Sequence, residues 1–155
     1  MNSRLRLSGP GGAAALKIEY KENILSAREY IQFQRKMEWP ADMEAVVERA
    51  LRNSLYTISA MADGQLIGMG RLVGDAAMYW YMQDIFVQTE YQGLGVGTEI
   101  VKRLIRYARD NSVSGSSISV CLMSARGKEG FYERFGFQAR PNEWGGPGME
   151  LEMDI

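Results

Sequence analysis

Hydrophobic positions recur along this chain with two periods, and the places where the period changes mark out its elements. Leu16 to Tyr20 alternates apolar and polar residues, which predicts a short strand. Ser26 and Glu29 then stand at capping-box spacing ahead of Tyr30, Ile31 and Phe33, so a helix should open there, run toward Met37 and stop at Pro40. Asp42 is placed to cap a second helix with an apolar face of Val46, Val47, Ala50 and Leu51. Two strands follow, Leu55 to Met61 and Gln65 to Val73, joined by Asp63-Gly64, a strong signal for a tight hairpin. After a turn at Gly74-Asp75, Met78 to Val87 is apolar at nearly every position, which predicts a central strand covered on both faces. Helical period returns from Val96 to Asp110, burying Ile100, Val101, Leu104, Ile105 and Ala108 and leaving Lys102, Arg103, Arg106 and Arg109 as a solvated face. Ser117 to Leu122 predicts a further strand, Lys128 to Phe135 a fourth helix, and Phe137 to Arg140 with Met149 to Met153 a closing hairpin.

Composition narrows what such a chain can be. With 155 residues, 46% of them hydrophobic, it can bury one sizeable core, so a single domain is expected over residues 16–155. Met1 to Ala15 holds a Gly/Ala-rich run and is read as a flexible arm or cloning remnant outside the fold. Eighteen basic residues against nineteen acidic ones, a net charge of −1, offer no general footprint for nucleic acid or an anionic membrane as partner. The chain has no apolar run near membrane-spanning length and no continuous apolar leader, so a cytoplasmic location is expected. One cysteine, Cys121, rules out an intrachain disulfide. The absence of histidine excludes the familiar serine and cysteine hydrolase triads and the usual zinc sites, and no metal is expected.

The richest chemistry lies in Asp84 to Thr98, which reads as a buried strand, a short connection, a glycine-rich turn and a helix start. Gly93, Gly95 and Gly97 free the backbone of Cβ atoms, so successive N–H groups can converge on a phosphate at the positive end of the helix dipole. A P-loop would need a lysine after the last glycine, and here Thr98 and Glu99 follow Gly97. A dinucleotide fingerprint would need a glycine at position 98 and an acid closing the next strand, and Ser117 to Leu122 carries none. Gln92-x-x-Gly95-x-Gly97 instead resembles the pyrophosphate-binding motif of the GNAT superfamily of acyl-CoA-dependent N-acyltransferases. Phe131-Tyr132-Glu133-Arg134-Phe135-Gly136-Phe137 is similar to the Phe-Tyr-x-x-x-Gly-Phe signature of the same superfamily, in the right order and at the right distance. Gly136 also stands where a short helix needs a left-handed residue before the chain turns into a strand.

The resemblance spans about Leu16 to the C-terminus and implies an α/β (α+β) fold, a mixed, mostly antiparallel sheet of about seven strands flanked by four helices. It implies acetyl-CoA as co-substrate, its pyrophosphate on Gln92, Gly93, Leu94, Gly95, Val96, Gly97 and Thr98. The pantetheine would lie along Ile85, Phe86 and Val87, where a bulge opens the strand edge and one N–H near Phe86 or Val87 faces the thioester oxygen. It also implies that Tyr132 is the general acid for the departing thiolate. Asp84, a carboxylate in an otherwise apolar strand, is the candidate base for the incoming amine, with a structural hydrogen-bonding role as the competing reading. Gln83 cannot act as a base, and Cys121 is read as a small core residue. Ala125 stands where the family often has an asparagine, a departure that touches the pantetheine contact and the orientation of the tyrosine.

A small-molecule primary amine is the expected acceptor and partner, with homodimerisation left open. Its entry is expected between Glu38-Trp39-Pro40-Ala41-Asp42 and Trp144-Gly145-Gly146-Pro147-Gly148, where tryptophans beside acids, Glu143 among them, suit a cationic or aromatic amine. Two alternatives stay open: acetylation of a peptide N-terminus or lysine, and an acyl-CoA-binding module that senses without transferring.

Overall fold

The structure, a computed structural model, describes Arg4–Leu5 and residues 16–154. Apart from Arg4–Leu5, the arm expected over Met1 to Ala15 lies outside the described residues. The chain divides into two compact units, Met1–Cys121 and Leu122–Ile155.

The first unit is built on a six-stranded sheet whose spatial order follows the sequence: β1 (Arg4–Leu5), β2 (Leu16–Glu22), β3 (Tyr56–Ala62), β4 (Gln65–Gly74), β5 (Tyr79–Val87) and β6 (Ser119–Cys121). Neighbours are antiparallel except β5 and β6, which run parallel. Three helices belong to this unit, α1 (Ala27–Lys36), α2 (Glu44–Arg52) and α3 (Val96–Asp110), and a single 3₁₀ turn at Thr89–Tyr91 leads into α3.

Local chemistry accounts for most of these boundaries. The capping box closes as expected: Ser26 Oγ accepts from the Glu29 N–H at 3.3 Å, and the Glu29 carboxylate accepts from the Ser26 N–H at 3.0 Å. Asp63 and Gly64 turn the β3–β4 hairpin with φ of 48° and 75°, the left-handed pair that such a two-residue turn requires. Asp42, however, does not cap α2. The helix begins after Met43 without a side-chain cap, and Asp42 instead exchanges hydrogen bonds with buried Gln34 of α1, at 2.8 and 3.2 Å. A buried amide needs a partner more than an exposed helix end does.

α3 packs on one face of the sheet through Val96, Ile100, Val101, Leu104 and Ala108. β4 receives it through two glycines: a Cβ on Gly70 would lie 2.8 Å from Ile100, and one on Gly68 3.2 Å from both Ile100 and Val96. A separate cluster forms where Ala27, Tyr30, Ile31 and Phe33 of α1 join Val47 and Met69, with Phe86 packed against it. Arg103 departs from the expected solvated face, because its guanidinium lies over the Tyr20 ring at 4.8 Å and its Nε donates to Glu99 at 2.8 Å. Tyr20 ionisation is pushed up to about 12, chiefly by burial.

Two expectations need correction. β5 is not covered on both faces throughout: Trp80 and Met82 are buried, whereas Tyr79 is exposed, as is Met78 just before it. The closing hairpin over Phe137 to Arg140 and Met149 to Met153 is not formed among the described residues, so the sheet has six strands and not seven. Among the described residues of the second unit, only α4 (Glu129–Glu133) and a bridge between Asn142 and Gly145 are regular. Met149, Leu151 and Met153 are 90%, 80% and 70% exposed. An alternating apolar run forms a strand only where one face is buried, and a lone two-stranded hairpin interrupted by Pro141, Pro147 and three nearby glycines has too little to bury.

Candidate active site

β5 changes character halfway along. Up to Tyr81 it is flanked by β4 on one side and β6 on the other. Beyond Tyr81, β6 has ended, and among the described residues no strand lies on that side. In the same stretch the β4 register slips: Arg71 faces Gln83, but Met69 faces Phe86, so Gly70 opposes both Asp84 and Ile85. This is a β-bulge, the device the resemblance implies, and Asp84 sits in it with φ of 55°.

After the bulge, backbone alternation identifies which groups face outward. The Phe86 carbonyl points at β4, since a Cβ on Gly68 would lie 3.0 Å from it. The Gln88 N–H also points there, donating to the Ile67 carbonyl at 2.8 Å. Val87, between them, therefore directs its N–H and C=O to the open side. Its carbonyl accepts from Gln92 Nε2 at 3.1 Å, and its N–H points the same way. Of the two donors the sequence left open, Val87 meets the geometry and Phe86 does not.

The strand leads through the 3₁₀ turn at Thr89–Tyr91 into the glycine turn. Gly93 and Gly95 take φ of 77° and 80°, and Gly95 is the N-cap of α3 without any side-chain cap bond. The first bond of the helix here joins the Glu99 N–H to the Gly95 carbonyl at 3.0 Å, which leaves the N–H groups of Val96, Gly97 and Thr98 without an intrahelical partner. A Cβ on Gly93 or Gly95 would meet nothing within 4 Å, so the turn is uncrowded at both glycines. Glu99, the acid nearest the donors, is paired with Arg103. An uncrowded turn, convergent N–H groups and a helix dipole fit a pyrophosphate.

Asp84 is half-buried beside this edge, but its carboxylate is not alone. It accepts from Arg71 Nε, and it lies near enough to the Tyr30 hydroxyl of α1 to act on that group electrostatically. Arg71 Nη1 reaches Ser54 Oγ at 3.3 Å. Burial, and after it the Asp84 charge, pushes the Tyr30 hydroxyl well above the usual tyrosine range. Sequence reasoning missed both neighbours, although Arg71 is the only charged residue in β4 and Tyr30 stands on the apolar face of α1.

On the α1 side, Trp39 is 49% exposed and meets Phe86 edge-on, with centroids 4.6 Å apart. Phe86 in turn stacks toward Phe33 at 6.5 Å. Asp42 of the same loop is engaged with Gln34, so Glu38 is its remaining exposed acid. Cys121 is exposed, in contrast to the expected core position.

In the second unit, Tyr132 lies on α4 with its ring edge-to-face against Phe131 and Phe137, at 5.0 and 6.1 Å. Burial raises its hydroxyl above the usual range. Gly136 follows the helix with φ of 94°, the left-handed residue the motif calls for. Trp144 is 85% exposed, in a turn closed by Asn142 and Gly145.

Residues 22–137 match the model of the acetyltransferase (GNAT) family. The chain belongs to that family. It is 28% identical over 137 residues to an uncharacterized N-acetyltransferase, ycf52, of Pyropia yezoensis, covering 81% of this chain and 76% of that protein. It is 27% identical over 111 residues to the chloroplastic serotonin N-acetyltransferase 2 of Oryza sativa, covering 69% of this chain. The chain spans about half the length of such chloroplastic plant relatives, 47% in one case and 54% in the other. Among solved structures it resembles a Staphylococcus aureus protein of unknown function described as a probable acetyltransferase, with a TM-score of 0.76 and 26% identity over 88% of this chain and 99% of that one. Neighbours of the same fold include complexes with acetyl-CoA and with CoA. Among the described residues no helix is long and apolar enough to cross a membrane, and no three His, Cys, Asp or Glu side chains gather as a metal site.

Proposed function

We propose that this GNAT domain moves the acetyl group of acetyl-CoA to a primary amine of a small molecule by direct attack on the thioester. The observation that carries the reading is the short link from β5 to α3: an open, bulge-flanked edge passes through one 3₁₀ turn and an uncrowded glycine turn to a helix N-terminus without a side-chain cap. Acetyl-CoA supplies an activated acyl group, so the protein has to position it, polarise it and manage protons.

The N–H groups of Val96, Gly97 and Thr98, on the turn made by Gln92, Gly93, Leu94 and Gly95, hold the pyrophosphate. The open side of Ile85 to Val87 receives the pantetheine, and the Val87 N–H takes the negative charge that develops on the carbonyl oxygen. Tyr132 donates a proton to the departing thiolate, an assignment resting on its motif and on a hydroxyl that burial keeps protonated. Trp39 favours an amine that carries an aryl group, and a relative named for serotonin acetylation supports that preference. The one free cysteine suits a reducing compartment, of which the cytoplasm is proposed here.

The test is release of the CoA thiol from acetyl-CoA across polyamines, arylalkylamines, aminoglycosides, amino acids and lysine-containing peptides, beside calorimetry of acetyl-CoA alone. Turnover on an arylalkylamine is expected. Tight binding with no release on any amine would replace transfer by sensing, and release on peptides alone would move the acceptor to protein.

A further inference from the structure

Asp84 is the one non-glycine residue inside a described strand that takes a left-handed conformation. L side chains resist that conformation, so something must hold it. Arg71 comes from β4, paired with Gln83 just before the bulge, and donates to the carboxylate, while Tyr30 of α1 lies within electrostatic reach of it. Ser54, in the connection from α2 to β3, steadies the guanidinium. The ion pair is shielded, with side-chain exposures of 17% and 16%.

The register shows what this clamp controls. If Asp84 and Ile85 did not share one partner, pairing onward from Arg71 and Gln83 would set Val87 opposite Ile67 in place of Gln88. A slip of one residue turns every group to the other side. The Val87 N–H would then enter the β4 ladder, and the Phe86 N–H would face the open edge.

We infer that Arg71 is a positioning residue for acetyl transfer: through the Asp84 carboxylate it holds the bulge that presents the Val87 N–H, and Asp84 shapes the site without taking the amine proton. This rests on the acetyl-transfer reading above. The Arg71 guanidinium already donates to the carboxylate and matches its charge.

Two double variants separate shaping from proton transfer, Arg71→Met with Asp84→Gly and Arg71→Met with Asp84→Ala. Both lack the ion pair and the carboxylate, leave no buried charge unpaired, and differ only in how easily position 84 reaches a positive φ. The glycine variant is expected to lose about threefold in acetyl-CoA affinity and in kcat/KM, and the alanine variant about five- to thirty-fold beyond that. Amide hydrogen exchange supplies a readout that needs no ligand: Val87 should exchange fast and Phe86 slowly in the wild type and the glycine variant, with the order reversed in the alanine variant. A loss of kcat of a hundredfold or more in both variants, with acetyl-CoA affinity and exchange unchanged, would make Asp84 the base and overturn the inference. Identical exchange and affinity in the two variants would also overturn it, by showing that the bulge needs no clamp. Failure of the wild type to bind acetyl-CoA would instead defeat the acetyl-transfer reading, while the exchange data would still decide the clamp.

Discussion

The two halves of β5 are made of similar residues and do different work. Tyr79 to Tyr81 is held between β4 and β6, and its central side chain anchors the sheet: Trp80 is 1% exposed and meets Tyr107 edge-on at 6.2 Å. Asp84 to Val87 keeps β4 but has no strand on its other side among the described residues, and its one inserted residue decides which backbone donors look outward. The paired half spends its hydrogen bonds on the sheet, whereas the open half leaves the Val87 polar groups directed away from β4, toward the space proposed for the thioester. If that division is right, mutations in the two regions should separate folding from binding.

The largest effect is expected in the paired half. Trp80→Ala should cost about 3–5 kcal/mol of unfolding free energy, because a large side chain leaves a cavity its neighbours fill poorly. The cost falls toward the lower end because Trp80 Nε1 is buried without a hydrogen-bond partner among the described residues, so the indole carries a desolvation penalty that its removal relieves. Urea unfolding measures the loss, and calorimetry on the folded fraction should return wild-type acetyl-CoA affinity. A fall in affinity as large as the fall in stability would erase the distinction between the halves.

Gly95→Glu is the mirror experiment. The left-handed backbone should lower stability by roughly 1–2 kcal/mol. Acetyl-CoA affinity, in contrast, should fall roughly a hundredfold or more, since a carboxylate at the N-cap of α3 would oppose the pyrophosphate charge. Unchanged affinity in a folded variant would return the turn to an ordinary strand-to-helix connection.

What could be read along the chain follows the same line between local and distant. The capping box, the Asp63-Gly64 turn, the bounds of α3 and the glycine turn depend on residues a few positions apart, so their chemistry is visible in one dimension. The bulge was not visible from alternation, because Met78 to Val87 is apolar on nearly every position and has no phase for an inserted residue to break. Arg71 and Asp84 are thirteen residues apart, and Tyr30 reaches them from another layer. Pairing across such distances leaves no periodic trace. Asp42 shows the converse error, since a good local capping site was overridden by a distant amide that needed satisfying.

Tyr132→Phe keeps the ring packed on Phe131 and Phe137 and removes only the proton, so acetyl-CoA affinity should hold while kcat falls by roughly ten- to a hundredfold. The pH dependence has a definite sign. Burial raises the hydroxyl, so the acid form persists above the ordinary tyrosine value of about 10, and the basic limb of kcat should lie above that point. The limb should vanish or move in the variant. Equal kcat values at every pH would make Tyr132 a packing residue.

The smallest effect tests how the open half is braced. Gln92 belongs to the pyrophosphate motif, yet its side chain donates to the Val87 carbonyl, on the strand side of the turn. Gln92→Ala removes one exposed hydrogen bond, which corresponds to about 0.5–1.5 kcal/mol or roughly a two- to twelve-fold loss of acetyl-CoA affinity. S-acetylpantetheine, which lacks the pyrophosphate, distinguishes brace from ligand contact. A brace holds the Val87 edge for any thioester, so the variant should weaken both compounds by the same factor. A direct contact with pyrophosphate would weaken acetyl-CoA alone, and the turn and the strand edge would then be independent sites joined only by the chain between them.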